Sequence, residues 1–210
     1  MLKTGDYLRA LPTFKESRDE PDRPRPTRAF VTRNTRKQAT GDRLALALAT
    51  CGVGLIPFAP GTWGSAVGAG LYLLWRAARV KGLVLASAHG LAAEQFGALC
   101  TALALIILTG LALAGIWAAT RAERRLGRKD PGAVVIDEVV GQLITYLPLS
   151  LAASGWMVAA GFLLFRAFDI WKPYPIRRLE ALESGLGIMA DDVLAGAYAA
   201  TVLSLLAIAA

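Results

Sequence analysis

The 27 residues from Val139 to Phe165, VVGQLITYLPLSLAASGWMVAAGFLLF, contain no charged side chain. A single helix of that length would run about 40 Å at 1.5 Å per residue, well beyond the roughly 30 Å hydrocarbon core of a bilayer. Pro148 and the pair Ser154-Gly155 argue against one continuous helix. The flanks decide the matter. Arg121, Arg124, Arg125, Arg128 and Lys129 precede the stretch, and Arg166, Lys172, Arg177 and Arg178 follow it. Basic residues collect on the cytoplasmic side of a membrane, so both clusters are expected there, separated by an even number of crossings. The stretch is therefore predicted to be a helical hairpin, residues 134–147 and 156–170, that turns near residues 149–155.

Three more uncharged stretches lie outside the hairpin: Leu44–Trp75 (32 residues), Gln95–Thr120 (26) and Val193–Ala210 (18). The second fits one span and the last just reaches one. The first is interrupted by Pro57-Phe-Ala-Pro-Gly-Thr-Trp-Gly-Ser65, and Arg76, Arg79 and Lys81 after it leave the topology before Gln95 open. Hydrophobic residues make up 55% of the 210-residue chain and charged ones 19%, too apolar for an ordinary soluble domain. The charge that exists is skewed. Residues 1–42 hold 10 of the 23 Lys and Arg, 6 of the 16 Asp and Glu, and 4 of the 10 prolines. Such a segment buries too little apolar surface to offset its ordering entropy, and it is predicted to be a disordered basic tail. No apolar run follows its first charges, so it does not read as a signal peptide. No strand-like alternation or internal repeat is visible. The expected architecture is all-α, a multi-helical integral membrane protein with broken and hairpin helices, residues 43–210 forming a single membrane-embedded domain.

This topology gathers acidic residues. Asp137 and Glu138 start the hairpin, Asp169 ends it, and Asp191 and Asp192 are expected just before the final span. In one straight helix Asp137 and Asp169 would stand about 48 Å apart; the hairpin brings them to one membrane face. A carboxylate near the bilayer centre costs about 2.5–3.5 kcal/mol on insertion scales, so these groups need partners. Arg166 and Lys172 lie three residues on either side of Asp169, on one helix face if the helix continues. Salt bridging accounts for a single Asp but less well for two adjacent acidic pairs, which repel. Five clustered carboxylates suit Mg²⁺, a hard cation that takes carboxylate and phosphate oxygens.

The broken segment offers a complementary feature. Its glycines allow close approach of the backbone to a ligand, and Ser65 is placed to N-cap a helix over residues 66–74. A glycine-rich turn feeding a helix N-terminus presents N–H groups to an anion such as phosphate. Gly185 and Gly187 are read as loosening the backbone that aims Asp191 and Asp192. Other phosphatase chemistries are excluded. Neither Cys51 nor Cys100 heads a Cys-x5-Arg loop, no Asp-x-Asp-x-Thr motif occurs, and a lone histidine, His89, cannot supply a histidine pair. No phosphate-binding Gly-Lys-Ser/Thr loop is present.

Four blocks carry a resemblance. Phe58-Ala-Pro-Gly-Thr-Trp-Gly-Ser65, Asp137-Glu-Val-Val-Gly141, Phe165-Arg-Ala-Phe-Asp-Ile-Trp-Lys-Pro-Tyr-Pro-Ile176 and Gly187-Ile-Met-Ala-Asp-Asp-Val-Leu-Ala-Gly196 resemble the phosphatidylglycerophosphatase A family. They occur in the family's order from about Thr50 to the C-terminus; residues 1–42 and 76–94 lie outside them. The resemblance implies a bacterial inner-membrane enzyme, multi-pass, with its active site facing the cytoplasm. It implies Mg²⁺-dependent hydrolysis of the terminal phosphate of phosphatidylglycerophosphate, giving phosphatidylglycerol. The expected partners are that lipid and the membrane, with no nucleic acid.

The expected roles follow. Asp137, Glu138, Asp169, Asp191 and Asp192 hold one or two Mg²⁺, which activate a water; alternatively one aspartate attacks and forms an aspartyl-phosphate. Lys172 and Arg166 grip phosphate oxygens, and Gly61, Thr62 and Ser65 add backbone or hydroxyl donors. The rival from another class is a non-enzymatic cation-binding or transport protein, since acids in broken membrane helices also mark ion paths. A non-catalytic scaffold in lipid synthesis is a second rival.

Overall fold

A computed structural model describes residues 40–209 as seven helices, with no strand among the described residues. The predicted disordered tail lies outside the described residues except for 40–42, which are already helical. Helix α1 covers residues 40–50. It is followed by α2 (Pro60–Ala88), α3 (Ala93–Leu126), α4 (Ile136–Thr145), α5 (Gly155–Trp171), the single turn α6 (Ile176–Leu179) and α7 (Ser184–Ala209).

The hairpin is present, as α4 and α5 joined through residues 146–154. Ten residues make α4 about 15 Å long, half the hydrocarbon core. Its tip is tied down by polar contacts, of the kind that backbone groups shielded from water require. The Tyr146 hydroxyl donates to the Val158 carbonyl at 2.9 Å. Arg76 reaches across from α2, its Nε and Nη2 donating to the Leu151 carbonyl at 3.2 and 2.9 Å. Tyr72 of α2 stacks on Tyr146, ring centroids 4.5 Å apart. Arg76, unexplained by hydropathy, thus closes the hairpin turn, and α2 runs straight through it as one helix.

Helix starts differ from expectation in two places. Ser65 does not cap α2. The helix begins one turn earlier, with Pro60 in its first turn behind Ala59 in the left-handed conformation (φ 47°), because proline is pre-set for that position and lacks the N–H that would go unpaired there. The last helix also starts early, at Ser184, so Asp191 and Asp192 lie inside α7 and not before it. Gly185 and Gly187 are buried within that helix, serving close packing and not backbone freedom. The Gly185 N–H bonds the Thr120 hydroxyl, and the Ser184 hydroxyl bonds Glu123, pinning the start of α7 to the end of α3.

Helices α3 and α7 are long and apolar enough to cross a membrane. Only 11% of the most apolar window of α3 is buried, so it is not the core helix of a soluble globule. Leu105, Ile106 and Leu113 stand 50–69% exposed along it. The interior instead centres on α4, whose Ile136, Val139 and Val140 pack with Ala118, Ala119, Ala122, Ile188 and Met189. The seam between α4 and α7 is backbone against backbone. A Cβ on Gly196 would sit 2.4 Å from the Gly141 carbonyl oxygen, and one on Gly141 would meet Phe165 and the Asp192 carbonyl. Small residues permit such approach between membrane helices.

Two expectations follow. In a background without Cys51 and Cys100, cysteines at the exposed positions Gly132 and Glu183 should label from the same side of the membrane, and one at His89, at the other end of α2, from the opposite side. Labelling of 132 and 183 from opposite sides would overturn the hairpin. Gly196→Ala should force α4 and α7 apart at a cost of about 1–3 kcal/mol, read as a lowered Tm in detergent, whereas Gly110→Ala, with open space around it, should not lower it.

Candidate active site

The hairpin and the start of α7 place all five predicted carboxylates on one cavity of about 490 Å³. Asp137 and Glu138 occupy the first turn of α4, where the positive end of the helix dipole favours negative charge. The α4 entry is held by the Val135 N–H bonding the Ala49 carbonyl at 2.8 Å. Asp192 arrives from α7, four residues before Gly196, so the glycine seam sets its height against α4. Ligand oxygens of Asp137, Glu138 and Asp192 all lie within 4.8 Å of one another. Asp137 Oδ1 and Glu138 Oε2 are buried with no hydrogen-bond partner among the described residues. Buried acceptors left this way are costly, and three converging carboxylates with two orphaned oxygens fit a hard divalent cation.

The other two carboxylates are engaged differently. Asp169 pairs with Arg166 one turn before it on α5, as the spacing predicts. Lys172 does not pair with Asp169. It caps α5 in the left-handed conformation (φ 47°), which breaks the i, i+3 geometry and sends its ammonium to Asp191 at 2.7 Å and Glu180 at 3.5 Å. Burial works against the charged form, but the hydrogen bond and charge of Asp191, joined by Glu180, outweigh it and hold Lys172 above the ordinary lysine range. Both cations expected to grip phosphate are thus already facing carboxylates.

The glycine turn is brought close, in a different role for Ser65. A Cβ on Gly61 would meet Glu138 Oε1 and Arg166 Nη1, so this first turn of α2 lies against the acidic cluster because it has no side chain there. Thr62 is exposed. Ser65 is fully buried and its hydroxyl donates to the Gly61 carbonyl at 3.0 Å. It supports the turn and is not a donor aimed outward.

Several residues escaped the sequence reading. Lys129, Asp130, Arg177 and Glu180 also line the cavity; the basic flanks give Lys129 and Arg177 a topological role only, and Asp130 and Glu180 sit in no pattern that marks them. Gln142 did carry a signal, as a polar residue one helical turn beyond Glu138 in an uncharged run. It is fully buried, and neither amide atom has a hydrogen-bond partner among the described residues.

The sequence profile of phosphatidylglycerophosphatase A matches residues 46–207. The chain belongs to that family. It is similar to phosphatidylglycerophosphatase A of Haemophilus influenzae, 39% identical over 72% of this chain and 81% of the relative. The Escherichia coli protein of the same name is 34% identical over 72% of this chain and 76% of the relative. A Bacteroides thetaiotaomicron relative, provisionally named a phosphatidylinositol-3-phosphatase, is 40% identical over 70% of this chain and 82% of its own length. No solved structure matches the chain. Family and helices together make this chain a membrane-associated phosphatase, which removes the transporter and scaffold readings.

The ion pair is open to a double-mutant cycle. Lys172→Met strands Asp191, whose side chain is 7% exposed, and should cost about 2–4 kcal/mol of unfolding free energy in detergent. Adding Asp191→Asn should restore most of that stability. Additive losses in the double mutant would show that the two groups are not coupled.

Proposed function

We propose that the chain hydrolyses the terminal phosphate monoester of phosphatidylglycerophosphate to phosphatidylglycerol, as a single membrane-embedded domain of the bacterial inner membrane whose site faces the cytoplasm. The observation that carries this reading is the trio Asp137, Glu138 and Asp192, oriented inward at the basic end of an apolar bundle. Seven carboxylates line the cavity against three cations. A phosphate dianion is repelled from such a surface unless positive charge enters with it. Asp137, Glu138 and Asp192 would hold Mg²⁺, which when bound neutralises phosphoryl oxygens and acidifies a water.

The protein's own groups do the remainder. Lys172 pairs with Asp191 and holds it in place on the cavity wall, and Arg166 pairs in the same way with Asp169. Both aspartates then stand beside the trio as acceptors for the proton of an attacking water, and either could return it to the departing glycerol oxygen. The hydrolysis forms one P–O bond from water and breaks the P–O bond to the headgroup glycerol. Gly61, having no side chain, lets the first turn of α2 pack directly against Glu138 and Arg166. The basic residues Arg124, Arg125, Arg128 and Lys129, at the same end as the cavity, support a cytoplasmic placement.

The name of the Bacteroides thetaiotaomicron relative favours a second reading, in which the headgroup is a phosphorylated inositol. Purified protein in detergent micelles should release phosphate from phosphatidylglycerophosphate with Mg²⁺, and release should stop with a chelator and return on adding Mg²⁺. Faster release from phosphatidylinositol 3-phosphate would favour the second reading. Asp137→Asn should lower kcat by 100-fold or more, about the loss of 2.7 kcal/mol of transition-state stabilisation, while the protein inserts and keeps its Tm. Near-normal turnover at saturating Mg²⁺ would remove Asp137 from the site.

A further inference from the structure

Arg166 and Lys172 are matched by carboxylates, which leaves the question of what meets the substrate's own negative charge. Of the three cations on the cavity wall, Lys172 is committed to Asp191 and Glu180. Lys129 and Arg177 line the same cavity, and neither is ion-paired among the described residues. Arg177 differs from Lys129 in its second neighbourhood. It also lines an adjoining groove with Trp171, Lys172, Pro173, Tyr174 and Arg178. Trp171 and Tyr174 are 70% and 72% exposed, and aromatic rings of this kind settle at the headgroup level of a bilayer. Arg177 therefore stands at the doorway between an aromatic groove at the lipid boundary and the acidic cavity.

A phospholipid whose terminal phosphate reaches the carboxylate trio must bring its inner phosphate, the diester next to diacylglycerol, past that doorway. We propose that Arg177 binds this phosphodiester and so selects lipids that carry a diester behind the scissile monoester. The inference rests on the lipid phosphatase reading above and adds a specificity-determining residue to it. Arginine suits the task, since its planar fork meets two phosphate oxygens at once. The neighbouring Arg178 is the natural control. Its guanidinium lies 5.0 Å from the centre of the Tyr174 ring and it does not line the acidic cavity.

The test uses phosphatidylglycerol, which keeps the diester and lacks the monoester, and orthophosphate, which mimics the monoester alone. Binding of phosphatidylglycerol from phosphatidylcholine-containing micelles is measured by native mass spectrometry, which needs no turnover. Arg177→Met should weaken it about ten-fold, Arg177→Lys should recover part of the loss, and Arg178→Met should leave it within two-fold. In the hydrolysis assay Arg177→Met should raise KM for phosphatidylglycerophosphate with little change in kcat, and leave inhibition by orthophosphate unchanged. Equal weakening by Arg177→Met and Arg178→Met would reduce the effect to surface charge and overturn the proposal. So would unchanged lipid binding in Arg177→Met, or a loss confined to orthophosphate. Wild-type protein that binds phosphatidylglycerol through Arg177 without hydrolysing the phosphorylated lipid would instead overturn the proposed reaction.

Discussion

The site exists because α4 and α7 touch through bare backbone. With Gly141 facing Gly196, the two helices approach closer than any side chain would allow, and Asp192, one turn before Gly196, is carried to the level of Asp137 and Glu138. Three carboxylates held this close repel one another, so the packing works against electrostatics. What holds them together is apolar: Ile136, Val139, Val140, Ile188 and Met189 in one core, and Phe165, Ala195 and Ala199 in another. Hydrophobic and dispersion contacts around the seam oppose the mutual repulsion of the charge cluster at its polar end.

The remaining charges are arranged so that repulsion stays local. Arg166 and Lys172 each neutralise a carboxylate outside the trio, and Glu180 adds a second acid beside Lys172. Among the described residues neither Asp137 nor Glu138 forms an ion pair of its own. This division separates a balanced wall from an unbalanced floor, and the floor is where an added cation has most to gain.

Much of this was legible in the sequence, for reasons that can be named. The hairpin followed from charge placement, because basic flanks constrain topology more firmly than local propensity constrains helix ends. The acidic residues were legible because carboxylates in apolar surroundings need a reason. What was hidden depended on backbone conformation. Lys172 looked like a partner of Asp169 at i+3, but a left-handed cap ends the helix there and redirects it to Asp191. Ser65 looked like a cap, yet Pro60 starts the helix a turn sooner. Arg76 looked like an interruption, and its partner is a carbonyl 75 residues away that no local pattern reveals.

The same glycine seam divides the chain into two evolutionary regimes. Along the outer face of α3, any side chain that dissolves in hydrocarbon serves, so Leu105, Ile106 and Leu113 can be exchanged among apolar types at little cost. At Gly141 and Gly196 the alphabet has one letter, since even a methyl group displaces a helix. Sequence drift in this protein should therefore run fast over its lipid-facing surface and nearly stop at two residues that carry no functional group at all.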